Sequence, residues 1–522
     1  MIKKKISVVI GLLLINQLIF AQAVNSPYIL KASEQFKSPK GHRLLECQGF
    51  GKDGIIQFSF KKLRSFAFQK FSNDLKLQKE NIVNTEGRFT ENSEFLYLTQ
   101  VNQKTYLITN DDETVSGLEF FPDKLDFAAK ASTLFKSSDK IRGSVVMVRS
   151  NDQSKCMFYY SLKPAIKRDA LSKEIIGFQV FDSNLKKIWG AEFEMPYSEA
   201  KMDILDYTLA DDGKVYLSSK VFKNDTRKEK TKDGEVNFNY EVFVFQKDSK
   251  QPKTISISVD GKFPTSASIF EDVNHNVLIA GFYSKTSHGY IEGVYSVKLD
   301  VENAKLSKVN GGYFEIPTEI LKKNTGRGEQ KRLDKREAKG KDVGLSNLII
   351  RSLYTMPNGS VKIVAEEYVV ISTTHYNGKT TTTTYTTYAA DVYVFSIDAK
   401  GSMEWIKKIA KDQISGGAEG PAVSIKTLPV GNDLHIFYLD NIENDKVLKT
   451  NAPPERYRAH RGGSLIGNAI DAKGNVTRYN LGDVKVYKTN FFIRYFDFGG
   501  SNNIISTERR KRNNILVSLQ VK

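Results

Sequence analysis

Two kinds of strand-turn-strand segment alternate along this 522-residue chain, and almost no stretch spaces its apolar residues as an amphipathic helix does. The only two tryptophans, Trp189 and Trp405, each stand seven residues after a turn aspartate, Asp182 and Asp398. A repeated unit accounts for that coincidence. Together these observations predict an all-β fold built from four-stranded units that pack only on their neighbours, which is a β-propeller. Seven inner hairpins set the expected count at seven four-stranded blades. Six or eight stay open, because the copies before about Phe135 are poor.

The first residues, MIKKKISVVIGLLLINQLIFAQA, combine the basic Lys3 to Lys5, an apolar run from Ile6 to Phe20, and small residues at Ala21 and Ala23. This pattern reads as a secretory signal peptide over 1–23. A membrane anchor is the alternative, but the run is shorter than the ~20 apolar residues that span a bilayer. No cysteine follows the cleavage region to accept lipid, and no second long apolar stretch occurs. The expected mature chain, 24–522, is therefore one exported domain without a transmembrane segment, periplasmic or extracellular, with association to the outer membrane as a further location. Without the three leader lysines the formal charge of +17 falls to +14. In an exported chain that basic field suits an envelope protein or an anionic glycan, not nucleic acid. Cys47 and Cys156 are the only cysteines, and either a disulfide or two buried thiols fits them.

The outer hairpins begin at Phe66, Ile175, Tyr240, Gly293, Ala390 and Ser464. Ala390 to Ala410, ADVYVFSIDAKGSMEWIKKIA, is the clearest of them, with period-2 alternation and an Asp398 to Gly401 turn. The inner hairpins begin at Phe95, Ser144, Ile204, Ser266, Leu348, Ala422 and Phe491, most of them closed by a Gly/Asn/Asp turn. After the last of these only one strand remains, Asn514 onward, so N-terminal strands are expected to complete the final blade and close the ring.

Naming the inner strands a and b and the outer ones c and d, the a–b and c–d turns are short. The b–c and d–a connections hold the long insertions 220–239, 321–345, 371–390 and 441–463, so one face of the disc should be plain and the other elaborated. Lys322 to Asp342 carries nine Lys/Arg against four acidic residues, which predicts a flexible loop or a short solvated helix. Ile371 to Ala390 is rich in threonine and tyrosine, with Asn377-Gly378 expected as a type I′ turn of a projecting hairpin. NAPPERYRAHRGG places Arg456, Tyr457, Arg458, His460 and Arg461 together, a composition suited to carboxylate, sulfate or phosphate. These five residues, with His375, Tyr376 and Tyr385 of the projecting hairpin, are the candidate binding residues. The three insertions 321–345, 371–390 and 441–463 should crowd one sector of the disc.

Catalytic signals are weak. None of the six histidines belongs to HExxH or has a second histidine at metal spacing. The Asp272 to Asn276 run lacks the glycine and glutamate of a calcium loop and reads as an ordinary a–b turn. Gly463-Ser464-Leu465-Ile466-Gly467 is misspaced for a nucleophile elbow. No catalytic residue, metal or cofactor is expected. DVYVFSIDAKGSMEWIKKIAKDQ, the Thr/Tyr hairpin before it and LHIFYLDN after it resemble uncharacterised families of exported bacterial β-propeller-like proteins, over about Leu348 to Leu481. The resemblance implies export and a propeller-like fold, and brings no catalytic residues. The expected function is a non-enzymatic binding or scaffolding protein of the bacterial envelope acting through its basic, loop-rich face. The alternative is a propeller hydrolase or lyase acting on an anionic glycan, which would require carboxylates meeting in the central channel.

Overall fold

The computed structural model describes residues 26–522 except 164–171, 225–226, 234–235, 258–261, 287–288, 309–311, 342, 460 and 511–512. The expected leader lies outside the described residues, and among those residues no helix is long and apolar enough to cross a membrane. The alternating hairpins form a β-propeller of four-stranded antiparallel sheets, some extended by extra short strands. Eight sheets, not seven, stand among the described residues.

Blade 1 comprises strands Arg43–Gly49, Ile55–Phe60, Ser65–Phe71 and Leu77–Asn84. Its inner hairpin is the one absent from the sequence count. A bulge between Leu44 and Cys47 breaks the alternation of its first strand. Blade 2 runs from Glu94 to Lys136, blade 3 from Ile141 to Ser198, and blade 4 from Met202 to Ile257. Blade 5 runs from Phe263 to Glu315 with its first and last strands each in two pieces, and blade 6 from Leu348 to Ile409. Blade 7 uses Lys426–Val430, Asp433–Asp440, Ser464–Ile470 and Val476–Asp483. Blade 8 joins Asp497–Gly500, Asn503–Arg510 and Asn513–Val521 to Tyr28–Ala32, whose Tyr28 stands opposite Val521.

The core is distributed between the blades. Ile56, Phe58, Phe66 and Phe68 of blade 1 meet Leu107, Leu118 and Phe120 of blade 2, and each successive pair of blades shares a similar cluster. Blades 7 and 8 pack through Phe437, Leu465, Leu519 and Tyr28. Cys47, Ile55 and Phe71 then join blade 1 to Ile505 and Leu516 of blade 8. Trp189 lies in the seam between blades 3 and 4 and donates its ring N–H to Gly213 O of blade 4 (2.9 Å). Trp405 does the same to Ala472 O of blade 7 (3.2 Å). Both cysteines are buried free thiols in different seams.

The a strands face the axis: Thr355 Oγ1, ending strand a of blade 6, donates to Asn151 Oδ1 in the a–b turn of blade 3, which is no neighbour of blade 6 (3.2 Å). Arg327–Glu337 is the short helix that the composition allowed, an eleven-residue element whose one buried residue, Leu333, anchors it in the seam between blades 5 and 6. One expectation about the insertions needs correction. The projecting hairpin pairs Val361–Tyr376 with Thr381–Ile397, leaving a four-residue loop in place of a two-residue type I′ turn. Gly378 takes a positive φ of 86° that Asn377 does not share, and Asn377 Oδ1 instead accepts from the Thr380 N–H (2.9 Å).

Candidate functional site

Blade 7 carries the basic insertion between its strands b and c. Asp440 ends strand b fully buried, and its carboxylate pairs with Arg478 (2.9 Å) and accepts from Asn444 Nδ2 (2.7 Å). Asn444 also donates to Glu455 O (2.9 Å) and accepts from the Glu455 N–H (2.7 Å), so one side chain holds both ends of the loop together. The chain then runs parallel to blade 6's extra strand Gln413–Gly416, pairing Tyr457 with Gln413 and Arg458 with Ile414, and Tyr457 is buried. Asn324 Nδ2 donates to Ala452 O (3.2 Å), linking the 321–345 insertion to the same loop. This contact brings together the 321–345 and 441–463 insertions, two of the three expected in one sector.

Around this framework Arg456, Tyr457, Arg458 and Arg461 line a cavity of about 330 Å³ with Ile442 and Lys485. Arg456 is fixed by Asp412 (Nε to Oδ2, 2.8 Å) and lies over the Tyr388 ring, 5.9 Å from its centroid. Among the described residues Arg458 and Arg461 have no carboxylate partner, and the nearby Asp483 accepts the Lys485 N–H (2.9 Å). Guanidinium donors without a carboxylate partner beside an ordered aromatic suit an oxyanion such as carboxylate or sulfate. His460 lies outside the described residues. His375, Tyr376 and Tyr385 sit on the projecting hairpin, the two tyrosines 71% and 52% exposed. The structure does not bring them to the arginine cavity.

A second cavity, of about 280 Å³, opens where the innermost strands of blades 6 and 7 meet the segment entering blade 8. Arg351, Lys426 and Arg494 converge on it with Tyr354 and Thr427, whose hydroxyls are 2.6 Å apart. Behind its wall lies a buried ionic cluster. Glu366 and Lys411, both with no exposed side-chain surface, pair at 2.6 Å, while Arg351 and Ser424 each reach Glu366 Oε2 at 2.6 Å. Burial pushes the Glu366 carboxyl up, but the Lys411 and Arg351 charges more than offset it and hold the group below its usual range. It is a structural anion, ill-suited to act as a general acid. Sequence reading missed this constellation because Arg351, Lys426 and Arg494 come from three blades and no local motif links them.

On the plain face, Asp211, Glu271 and His275 bring one ligand atom each within 4.8 Å of one another.

No protein-family model matches the chain, and no curated protein matches it either. Solved structures similar in outline include the WD40 domain of SCAP from fission yeast, at 8% identity over 96% of this chain and 97% of that one, with a TM-score of 0.37. A polysaccharide lyase, Uly1, shows 10% identity over 84% and 91% at the same TM-score. Cobalt-substituted Synechocystis ACO shows 9% over 88% and 94%, again at 0.37. What makes this chain a propeller is its own eight sheets.

Proposed function

We propose that the protein is an exported, non-enzymatic propeller that binds or scaffolds in the bacterial envelope, gripping an anionic group of a glycan or of an acidic protein face through the basic sector. The observation that supports this reading is the cavity walled by Arg456, Arg458, Arg461 and Lys485, held open by the Asn444 staple and the parallel pairing of Tyr457. A rigid loop presenting guanidinium groups without carboxylate partners loses little conformational entropy on binding an anion. The hydrolytic alternative draws no support from the channel-side cavity, whose described lining holds no carboxylate.

The test is binding to immobilised polyuronate and sulfated glycans and to a native envelope fraction, with Arg458→Ala/Arg461→Ala as the variant. Among the described residues neither arginine has an ion pair, so the fold is expected to be retained and binding alone to weaken. Wild-type binding should also fall as salt rises, since exposed charges are screened beyond ~8 Å at physiological ionic strength. Binding indifferent to both salt and the double substitution would overturn the proposal.

A further inference from the structure

The plain face carries a constellation that the basic sector does not explain. Asp211 lies in the a–b turn of blade 4, Glu271 ends strand a of blade 5, and His275 sits in the a–b turn that follows. Asp211 and Glu271 are 60 residues apart, so no local spacing motif could have exposed the group. Glu271 is buried, Asp211 half-buried, and the His275 side chain 68% exposed over them.

Hydrogen bonds fix both carboxylates from behind. Glu271 Oε2 accepts from the Asp211 N–H (2.6 Å), and Asp211 Oδ1 accepts from the Asp152 N–H of blade 3 (3.0 Å). That leaves Asp211 Oδ2 and Glu271 Oε1 facing His275 Nδ1, at 3.3 and 3.4 Å. Both separations exceed the ~2.7–2.9 Å of a charge-assisted N–H···O bond. Two ligands about 2.05 Å from a tetrahedral zinc stand about 3.3 Å apart. The two separations from His275 match that ligand spacing, and all three ligand atoms lie within 4.8 Å of one another.

Charge points the same way. Among the described residues no lysine or arginine pairs with either carboxylate. Lys155 Nζ comes close, but donates to the backbone Asp211 O (2.7 Å). Two adjacent carboxylates, one of them buried, call for a cation. The histidine turn is rigid as well: Asp272 Oδ1 accepts from the Asn274 and Asn276 N–H groups, each at 2.8 Å, and His275 itself sits at φ 60°.

We propose that Asp211, Glu271 and His275 form a site for one divalent transition metal, with zinc the best fit, clamping blade 4 to blade 5 and leaving a fourth position for water. One imidazole with two carboxylates suits zinc, whereas calcium takes six to eight oxygens, more than these three side chains offer.

The probe is the metal alone. Untagged, metal-stripped full-length protein is titrated calorimetrically with Zn²⁺, Ca²⁺ and Mg²⁺, and its thermal midpoint is read with and without each ion. One Zn²⁺ per chain is expected, bound at least tenfold more tightly than Ca²⁺ or Mg²⁺ and raising the midpoint. His275→Asn keeps a residue that tolerates the left-handed backbone, and its exposed position keeps the fold. That variant should lose at least tenfold in zinc affinity and the midpoint rise, and Asp211→Asn should do the same. Absence of saturable zinc binding, a calcium preference, or zinc binding undiminished in both variants would each overturn the proposal.

Discussion

Lys411→Met tests the ionic cluster behind the channel-side cavity. The wild-type ammonium is fully buried and meets Glu366 Oε1 at 2.6 Å, Ala389 O at 3.0 Å and Gln413 Oε1 at 3.1 Å. Methionine fills most of the volume but takes the ammonium donor from Glu366 Oε1 and Ala389 O, leaves Gln413 Oε1 only the Ser424 N–H (2.7 Å), and leaves Glu366 balanced by Arg351 alone. Breaking a buried pair from one side costs about 3–5 kcal/mol. With an unfolding entropy of about 2.1 cal/mol/K per residue, ~500 residues give about 1 kcal/mol/K, so the midpoint should fall by about 3–5 °C. Scanning calorimetry at pH 7.5 reads this directly. The Glu366→Gln/Lys411→Met double variant should lose less than the two single variants added together, since each single substitution strands a charge that the double removes. A shift below about 1 °C for Lys411→Met would show that the cluster is solvated or rearranges freely, and the reasoning would fail.

Trp189→Ala should cost about 3–5 kcal/mol, because the ring is buried in a seam and bonded to the next blade. Trp405→Ala should cost less, its ring being only partly buried, and urea midpoints at unchanged m-value would rank the two. Glu508 is buried, and burial pushes its carboxyl up to about 8 despite donors from Ser506 Oγ and the Phe492 N–H. Between the unfolded value of about 4.3 and that pKa the folded state keeps a proton that the unfolded chain has released. This group's contribution is therefore complete below about pH 4 and is lost as pH rises through 8. Glu508→Gln should remove up to ~1.4 kcal/mol per pH unit of that decline, seen as a divergence of stability curves measured at pH 5, 7 and 9. Parallel curves would refute it.

Local patterns were legible wherever both strands of a hairpin kept strict alternation, as in Val392 to Ile397. They failed where structure interrupts the phase. In blade 1 the bulge between Leu44 and Cys47 shifts one face onto the other, and the facing strand buries Gln57 and Ser59 among its apolar residues, so neither half reads as a copy. The placement of the basic loop followed from strand polarity alone, since b–c and d–a connections must share a face. The anchoring of Arg327–Glu337 did not, because a single leucine among charges outweighs the local composition. Side-chain constellations such as Arg351 with Glu366, or Asp211 with His275, exist only once separate strands or blades are adjacent, so one sequence carries no trace of them.

The make-up of blade 8 bears on the order in which the molecule can be assembled. The other seven sheets draw their four principal strands from consecutive chain, so each can form as soon as its own stretch is available. Blade 8 must wait for Asn513–Val521 to meet Tyr28–Ala32, a closure across nearly the whole chain, whose entropy cost grows only slowly with length but which cannot begin until the last strand exists. Until then Tyr28, which bonds His435 Nδ1 of blade 7 at 3.0 Å, has no slot to fill. Until that closure the sheets form an open arc with two raw edges, and the strand that ends this exposure, Tyr28–Ala32, lies at the opposite end of the described chain.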